Sequence, residues 1–271
     1  MASHNLAQPS ADAAVVTTDL TGFIDRWIYV FMAVLLITLI LIGFVPDSIG
    51  KLAAVDAGQR PQFPVAMHVH AVLMGSWMLL LLTQTTLMAT GRKQWHMQLG
   101  IMGMVLAPML VVAGLVLVPT NLGAFIAFAA DAPSDVQAQV DGFLYYMTDI
   151  ALIQIRAGVS FLLLVFLALR ARKRDSQLHK RLIILATIVP IPAALDRMTF
   201  LYTSLPESTL TVELWPLFVI APMFLWDLYR QKKIHRAYWI YAAIMVPGAI
   251  ITSLLWGSPW WHEFAPQYLF G

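Results

Sequence analysis

The chain contains no cysteine. That excludes disulfides, thiolate metal centres, cysteine-attached haem and thiol nucleophiles. Charge is scarce as well. Only 12% of the 271 residues are Asp, Glu, Lys or Arg, against about 25% in a soluble domain. The net charge of +2 is too small to imply nucleic acid as a partner. Residues 1–25 hold no Lys or Arg, so they lack the basic start of a signal peptide. They read as a flexible cytoplasmic tail ahead of a single domain over 26–271.

What the chain has instead is apolar length. Hydrophobic residues make up 59% of it, and its mean hydropathy is +0.73. Several apolar runs approach the ~20 residues needed to cross a bilayer core. The fold expected is all-α and polytopic, with the lipid bilayer as its surroundings. Seven spans fall near 27–45, 66–90, 97–118, 144–170, 180–202, 210–229 and 237–257. Trp27, Trp95, Tyr145, Tyr146, Tyr202, Trp215, Tyr229, Tyr238 and Trp256 sit near span ends, where amphipathic rings anchor at the membrane interface.

The basic residues orient the spans. Twelve of the 17 lie in three connections: Arg92 and Lys93; Arg170, Arg172, Lys173, Arg174, Lys180 and Arg181; and Arg230, Lys232, Lys233 and Arg236. The positive-inside rule then places the N-terminus in the cytoplasm and the C-terminus outside.

A repeat accompanies this pattern. A short basic turn, a histidine (His96, His179 or His235) and a mid-span proline (Pro108, Pro190 or Pro247) recur three times. The body therefore reads as one helix plus three helical hairpins. The turn histidines suit interfacial caps, or ligands of a cytoplasmic-side haem or metal. Between the spans, Pro46 to Pro64 is expected to fold over the outer mouth. The apolar stretch within Pro119 to Gly142 reads as a lid or re-entrant piece.

Polar residues within apolar helices mark candidate sites, because a charge near mid-bilayer costs about 2.5–3.5 kcal/mol on insertion scales. The candidates are His68, His70, Trp77, Asp149, Arg156, Asp196, Arg197 and Glu213. The orientation puts them in the outer half of the membrane. Arg156 and Arg197 are expected to pair among Asp149, Asp196 and Glu213. His68 and His70, two residues apart, diverge by about 200° on a helix. They address one site only if the helix starts at or after His68. A His-x-His pair with carboxylates suits a divalent metal held by His68 and His70, and haem b is the other cofactor these residues allow. The 14 methionines read as packing.

Several motifs permit a comparison: His68-Val-His70, Trp77, Gln84, His96-Met-Gln-Leu99-Gly100, His179-Lys180-Arg181-Leu182, Arg197, Asp227 with Arg230, and His235. In these the chain resembles a group of uncharacterised bacterial inner-membrane proteins. The likeness covers roughly residues 66–240 and implies a bacterial inner-membrane location but no activity. Two other families share single features. Membrane hydrolases of the alkaline ceramidase and progestin-receptor type use histidines, Asp and Ser around zinc, but the His-x-x-x-His of their last helix is missing. Cytochrome b561-like proteins pair histidines across helices, but His96, His179 and His235 stand at helix starts.

The function expected is a membrane protein with a polar His/Asp/Arg pocket in the outer half of the bilayer. The pocket would bind a small ligand, proton or redox cofactor, in company with other membrane subunits of a respiratory or envelope system. The alternatives are a metal-dependent membrane hydrolase or oxidoreductase, and a proton-coupled transporter of small solutes.

Overall fold

The computed structural model describes residues 11–130 and 134–268, with side chains over 20–130 and 141–268. Its elements are α1 (Ala11–Asp56), α2 (Val65–Ala89), α3 (Lys93–Ala130), α4 (Ser134–Ala171), α5 (Ser176–Ile188), α6 (Pro192–Leu195), α7 (Leu210–Gln231), α8 (Arg236–Leu255) and α9 (Pro259–Tyr268). Among the described residues there is no strand, and seven helical stretches are long and apolar enough to cross a membrane. All seven match the spans expected from hydropathy, with α5 and α6 forming one of them.

Short turns make α2 and α3, and α4 and α5, antiparallel neighbours, whereas α8 packs more closely on α4 and α5 than on α7, so the third expected hairpin is opened. Gly91 shows how one such turn is closed. Its φ of +76° lets Arg92 donate back to the Leu87 carbonyl at 2.8 Å, and an L side chain is strained in that conformation. Contacts between distant segments confirm the alternation. At one end Arg26 reaches the Ala89 carbonyl, Asp25 pairs with Arg230 and Lys180 lies over the Tyr29 ring. At the other, Arg197 meets Asp47 and Asp149 meets Gly257. The first is the basic end and the second the acidic end.

The core is drawn chiefly from α1, α4, α5 and α7. Met32, Leu36, Leu164, Leu182, Leu185, Ile188 and Met223 are among its most enclosed side chains. The outward faces are apolar as well: Leu79, Val112, Phe166, Phe218 and Leu254 are all exposed. A water-soluble monomer rarely shows so much contiguous apolar surface. A bilayer removes that cost.

Three stretches differ from the sequence expectation. Helix covers 11–25 of the segment read as a tail, while residues 1–10 lie outside the described residues. Pro46 does not end α1, which runs on to Asp56. The 119–142 stretch is no lid: α3 continues through Pro119 to Ala130, and α4 begins at Ser134. A proline inside a long helix removes one hydrogen bond, and neighbouring packing makes this tolerable. Pro190, by contrast, does interrupt its span, separating α5 from α6.

Loops and α9 cap the acidic end. In the 57–64 connection, the Arg60 guanidinium lies 4.7 Å from the Phe63 ring centre and 5.3 Å from that of Phe125 on α3, tying the loop to the bundle. The α9 helix folds back on α4, where the Trp261 indole donates to the Thr148 carbonyl at 2.8 Å.

At the basic end, Asp175 caps α5 by accepting the Leu178 N–H at 2.8 Å and also pairs with Arg236. The Leu178 N–H, helped by Arg236, holds its carboxyl below the usual carboxylate range. A depressed folded pKa contributes stability above the unfolded value of about 4, and that stability is lost as pH falls through the folded value. Asp175→Ala is expected to cost about 1 kcal/mol at neutral pH. The difference from wild type should vanish in strong acid, as checked by unfolding across a pH series.

Candidate functional site

The eight candidate residues separate into distinct contacts. Val65 opens α2 immediately after Pro64, which has extended backbone, so both histidines are helical. Their side chains diverge as the spacing requires. His68 is exposed, and its ring meets Phe63 edge-on at 6.2 Å. His70 faces α3 at Gly114, where a Cβ would lie 3.7 Å from the imidazole. His70 Nδ1 is buried without a hydrogen bond among the described residues. Neither histidine bonds to a charged candidate, so the expected meeting of the arginines and acids around two imidazoles is not formed. Trp77 belongs to the core. It is 5% exposed, donates to the Thr187 hydroxyl at 3.1 Å and stacks edge-on against Phe161 at 5.1 Å.

The charged residues do find partners, some of them unexpected. Asp149 is buried and accepts from the Gly257 N–H at 2.9 Å and from His262 Nε2 at 3.1 Å. The His262 ring stacks flat on Tyr145 at 3.5 Å, so α9 is tied to α4 at two points. Arg197 pairs with Asp47 of α1 at 3.1 Å rather than with Asp149, Asp196 or Glu213. The span ends at Leu195, which leaves Arg197 in a loop beside the top of α1. Asp196 is exposed and accepts from the Thr203 hydroxyl at 2.7 Å.

One expected ion pair is made. Arg156 Nη1 of α4 binds Glu213 Oε1 of α7, with Arg156 near the middle of its apolar span and Glu213 about one turn into its own. Arg156 lies seven residues below Asp149 on the same face, about 10 Å deeper along the axis. Its side chain is 9% exposed and that of Glu213 is 26%. Helix α8 makes room for it at Gly248, where a Cβ would stand 3.1 Å from the Arg156 stem. Glu213 lies in the first turn of α7, whose dipole favours a carboxylate. Arg156 Nε is buried and has no acceptor among the described residues. Such a group loses its hydration without compensation.

A second buried pair contrasts with this one. At the basic end, Arg181 grips Asp227 through Nε at 2.7 Å and through Nη2. Its Nη1 donates to the Gln177 carbonyl at 2.9 Å and to the Gln177 side-chain oxygen at 2.8 Å. The Tyr238 hydroxyl donates to Asp227 at 2.6 Å. Every guanidinium nitrogen has an acceptor, which suits a structural clamp. The sequence reading placed Arg181 among the loop cations and missed this pair. The signal was a lone acid, Asp227, at the end of a span otherwise flanked by bases.

No family model, curated protein or solved structure matches this chain. The motifs shared with bacterial inner-membrane proteins therefore stand as a likeness of motifs alone. The chemistry must be read from the residues. Among the described residues, no group of three or more His, Asp or Glu is placed to hold a metal ion. His68 and His70 point apart and bring no carboxylate with them. A cavity on the first turns of α7, lined by Asp196, Thr203, Thr211 and Trp215, measures about 10 Å³, room for about one water.

Proposed function

We propose that this is a multi-pass protein of the bacterial inner membrane that binds a small anionic solute in the outer half of the bilayer. The N-terminus lies in the cytoplasm, and Arg156 is the binding group. One observation carries the reading: a guanidinium buried between α4, α7 and α8 keeps a donor, Nε, that no acceptor among the described residues satisfies. A carboxylate-type oxygen would accept from that donor, since Arg presents several donors in a planar fork matched to such groups. Glu213 occupies part of the fork and acts as the internal competitor. Its partial exposure gives a route by which a solute displaces it. The fully satisfied Arg181–Asp227 clamp has no comparable spare donor, so ligand binding is assigned to the outer pair.

Acetate, the smallest simple carboxylate with a methyl group, tests the assignment. Thermal unfolding of detergent-purified protein is followed while sodium acetate replaces sodium chloride at constant ionic strength. Wild type is expected to be stabilised by acetate. Glu213→Gln, which removes the competitor, should respond at lower acetate concentration. Arg156→Gln should not respond. An Arg156→Gln variant shifted as much as wild type would overturn the assignment, as would a Glu213→Gln variant indifferent to acetate. The pair would then be a lock between α4 and α7.

A further inference from the structure

The basic end of the bundle holds a cavity of about 540 Å³ between α4, α5 and α8. That lies within the ~300–1,000 Å³ of typical small-molecule sites. Two kinds of side chain line it. Leu167, Leu182 and Ile240 form the apolar part, each at least one turn inside its span. Arg170, Arg172, Lys173, Arg174 and Arg236 form the charged rim, at and beyond the helix ends.

The rim holds an excess of unused positive charge. Asp175 is its single acid, and it is committed to the Leu178 N–H and to Arg236. Among the described residues, the side chains of Arg170, Lys173 and Arg174 make no hydrogen bond or ion pair. The Arg172 guanidinium meets only the Met104 sulfur, at 3.1 Å. Four cations thus border one opening with no anion to balance them.

We propose that this cavity binds an anionic phospholipid of the cytoplasmic leaflet. The headgroup phosphate is held by the rim arginines, and the glycerol and upper acyl chain lie on Leu167, Leu182 and Ile240. Charge complementarity selects an anion, and arginine forks suit phosphate oxygens. The apolar lining selects a lipid over free phosphate, because an inorganic ion leaves that surface unfilled. The position agrees too: basic pockets between membrane helices on the cytoplasmic side suit anionic headgroups. The site is separate from Arg156 and Glu213 and does not rest on what they bind.

The experiment uses detergent-purified full-length protein and three probes: dioleoyl-phosphatidylglycerol, dioleoyl-phosphatidylcholine and inorganic phosphate. Thermal unfolding is titrated with each. Phosphatidylglycerol is expected to stabilise wild type at roughly tenfold lower concentration than phosphatidylcholine. The triple variant R172Q/K173Q/R174Q should lose that preference. The control R92Q/K93Q/K233Q removes the same charge from the same end outside the cavity and should keep it. If the triple variant fails to fold, Arg174→Gln alone should still weaken the phosphatidylglycerol effect several-fold. Equal loss in the control triple would overturn the site in favour of diffuse surface charge. So would equal response to phosphatidylcholine, or full stabilisation by inorganic phosphate alone.

Discussion

Replacing Asp227 with asparagine is expected to destabilise the protein by about 3–5 kcal/mol, the range for breaking one half of a buried ion pair. Both side chains of the Arg181–Asp227 pair are 6% exposed, so water cannot take over the lost contacts. Asparagine keeps the shape of the carboxylate but offers one oxygen where there were two. Its amide would then point donors at the guanidinium donors. The Tyr238 hydroxyl, which now donates to Asp227 at 2.6 Å, would compete for the same single oxygen. Arg181 would stay charged, buried and underbonded. The double variant Arg181→Met/Asp227→Leu should recover most of the loss, because it removes both charges and preserves apolar volume. SDS-driven unfolding of the single and double variants measures this. A single-variant loss under about 1 kcal/mol is the size expected of a solvated pair, and it would refute the clamp.

The second large effect is steric. Gly43→Ala is expected to cost about 1–3 kcal/mol or more, the cost of overpacking a closed contact. A Cβ at Gly43 would stand 2.2 Å from the Ala194 carbonyl oxygen and 2.8 Å from its carbon. Both are backbone atoms of α6, so no side-chain rotation relieves the clash, and α1 must move off α6. Asp47 lies one turn beyond Gly43, so the movement should also part it from Arg197, its partner at 3.1 Å. Arg197→Gln should therefore cost less in the Gly43→Ala background than in wild type. Gly75→Ala on α2 is the control. A Cβ there meets nothing within 4 Å, and alanine is up to about 1 kcal/mol better than glycine within a helix. Equal behaviour of the two variants would show that α1 and α6 are not in close contact.

These two sites explain why only part of the candidate constellation was legible. Charges buried in apolar helices are costly enough to demand partners, so the existence of ion pairs could be read from Arg156, Asp149 and Glu213. Which charges meet depends on helix order and rotation. Arg156 does find its partner within the expected set of acids, Glu213, because both belong to spans that start from the same end of the bundle. Arg197 was assigned to the wrong acids. Its partner, Asp47, follows Pro46, just past the expected end of the first span, and α1 continues through that proline. His262 follows the last span, yet α9 folds back and brings it to Asp149. The two central histidines failed for a local reason: α2 starts at Val65, three residues before His68, and so turns them apart.

By itself the sequence determined seven apolar helices and the concentration of cations at one end. These properties follow from the length of apolar runs and the placement of basic residues, and both are written along the chain. The tertiary structure decided which buried charge answers which, where a glycine must stay bare, and which loop cations surround a cavity. Those outcomes depend on how helices rotate and pack against one another. A one-dimensional pattern of apolar residues, apolar all round in a membrane span, holds little phase information from which to read that.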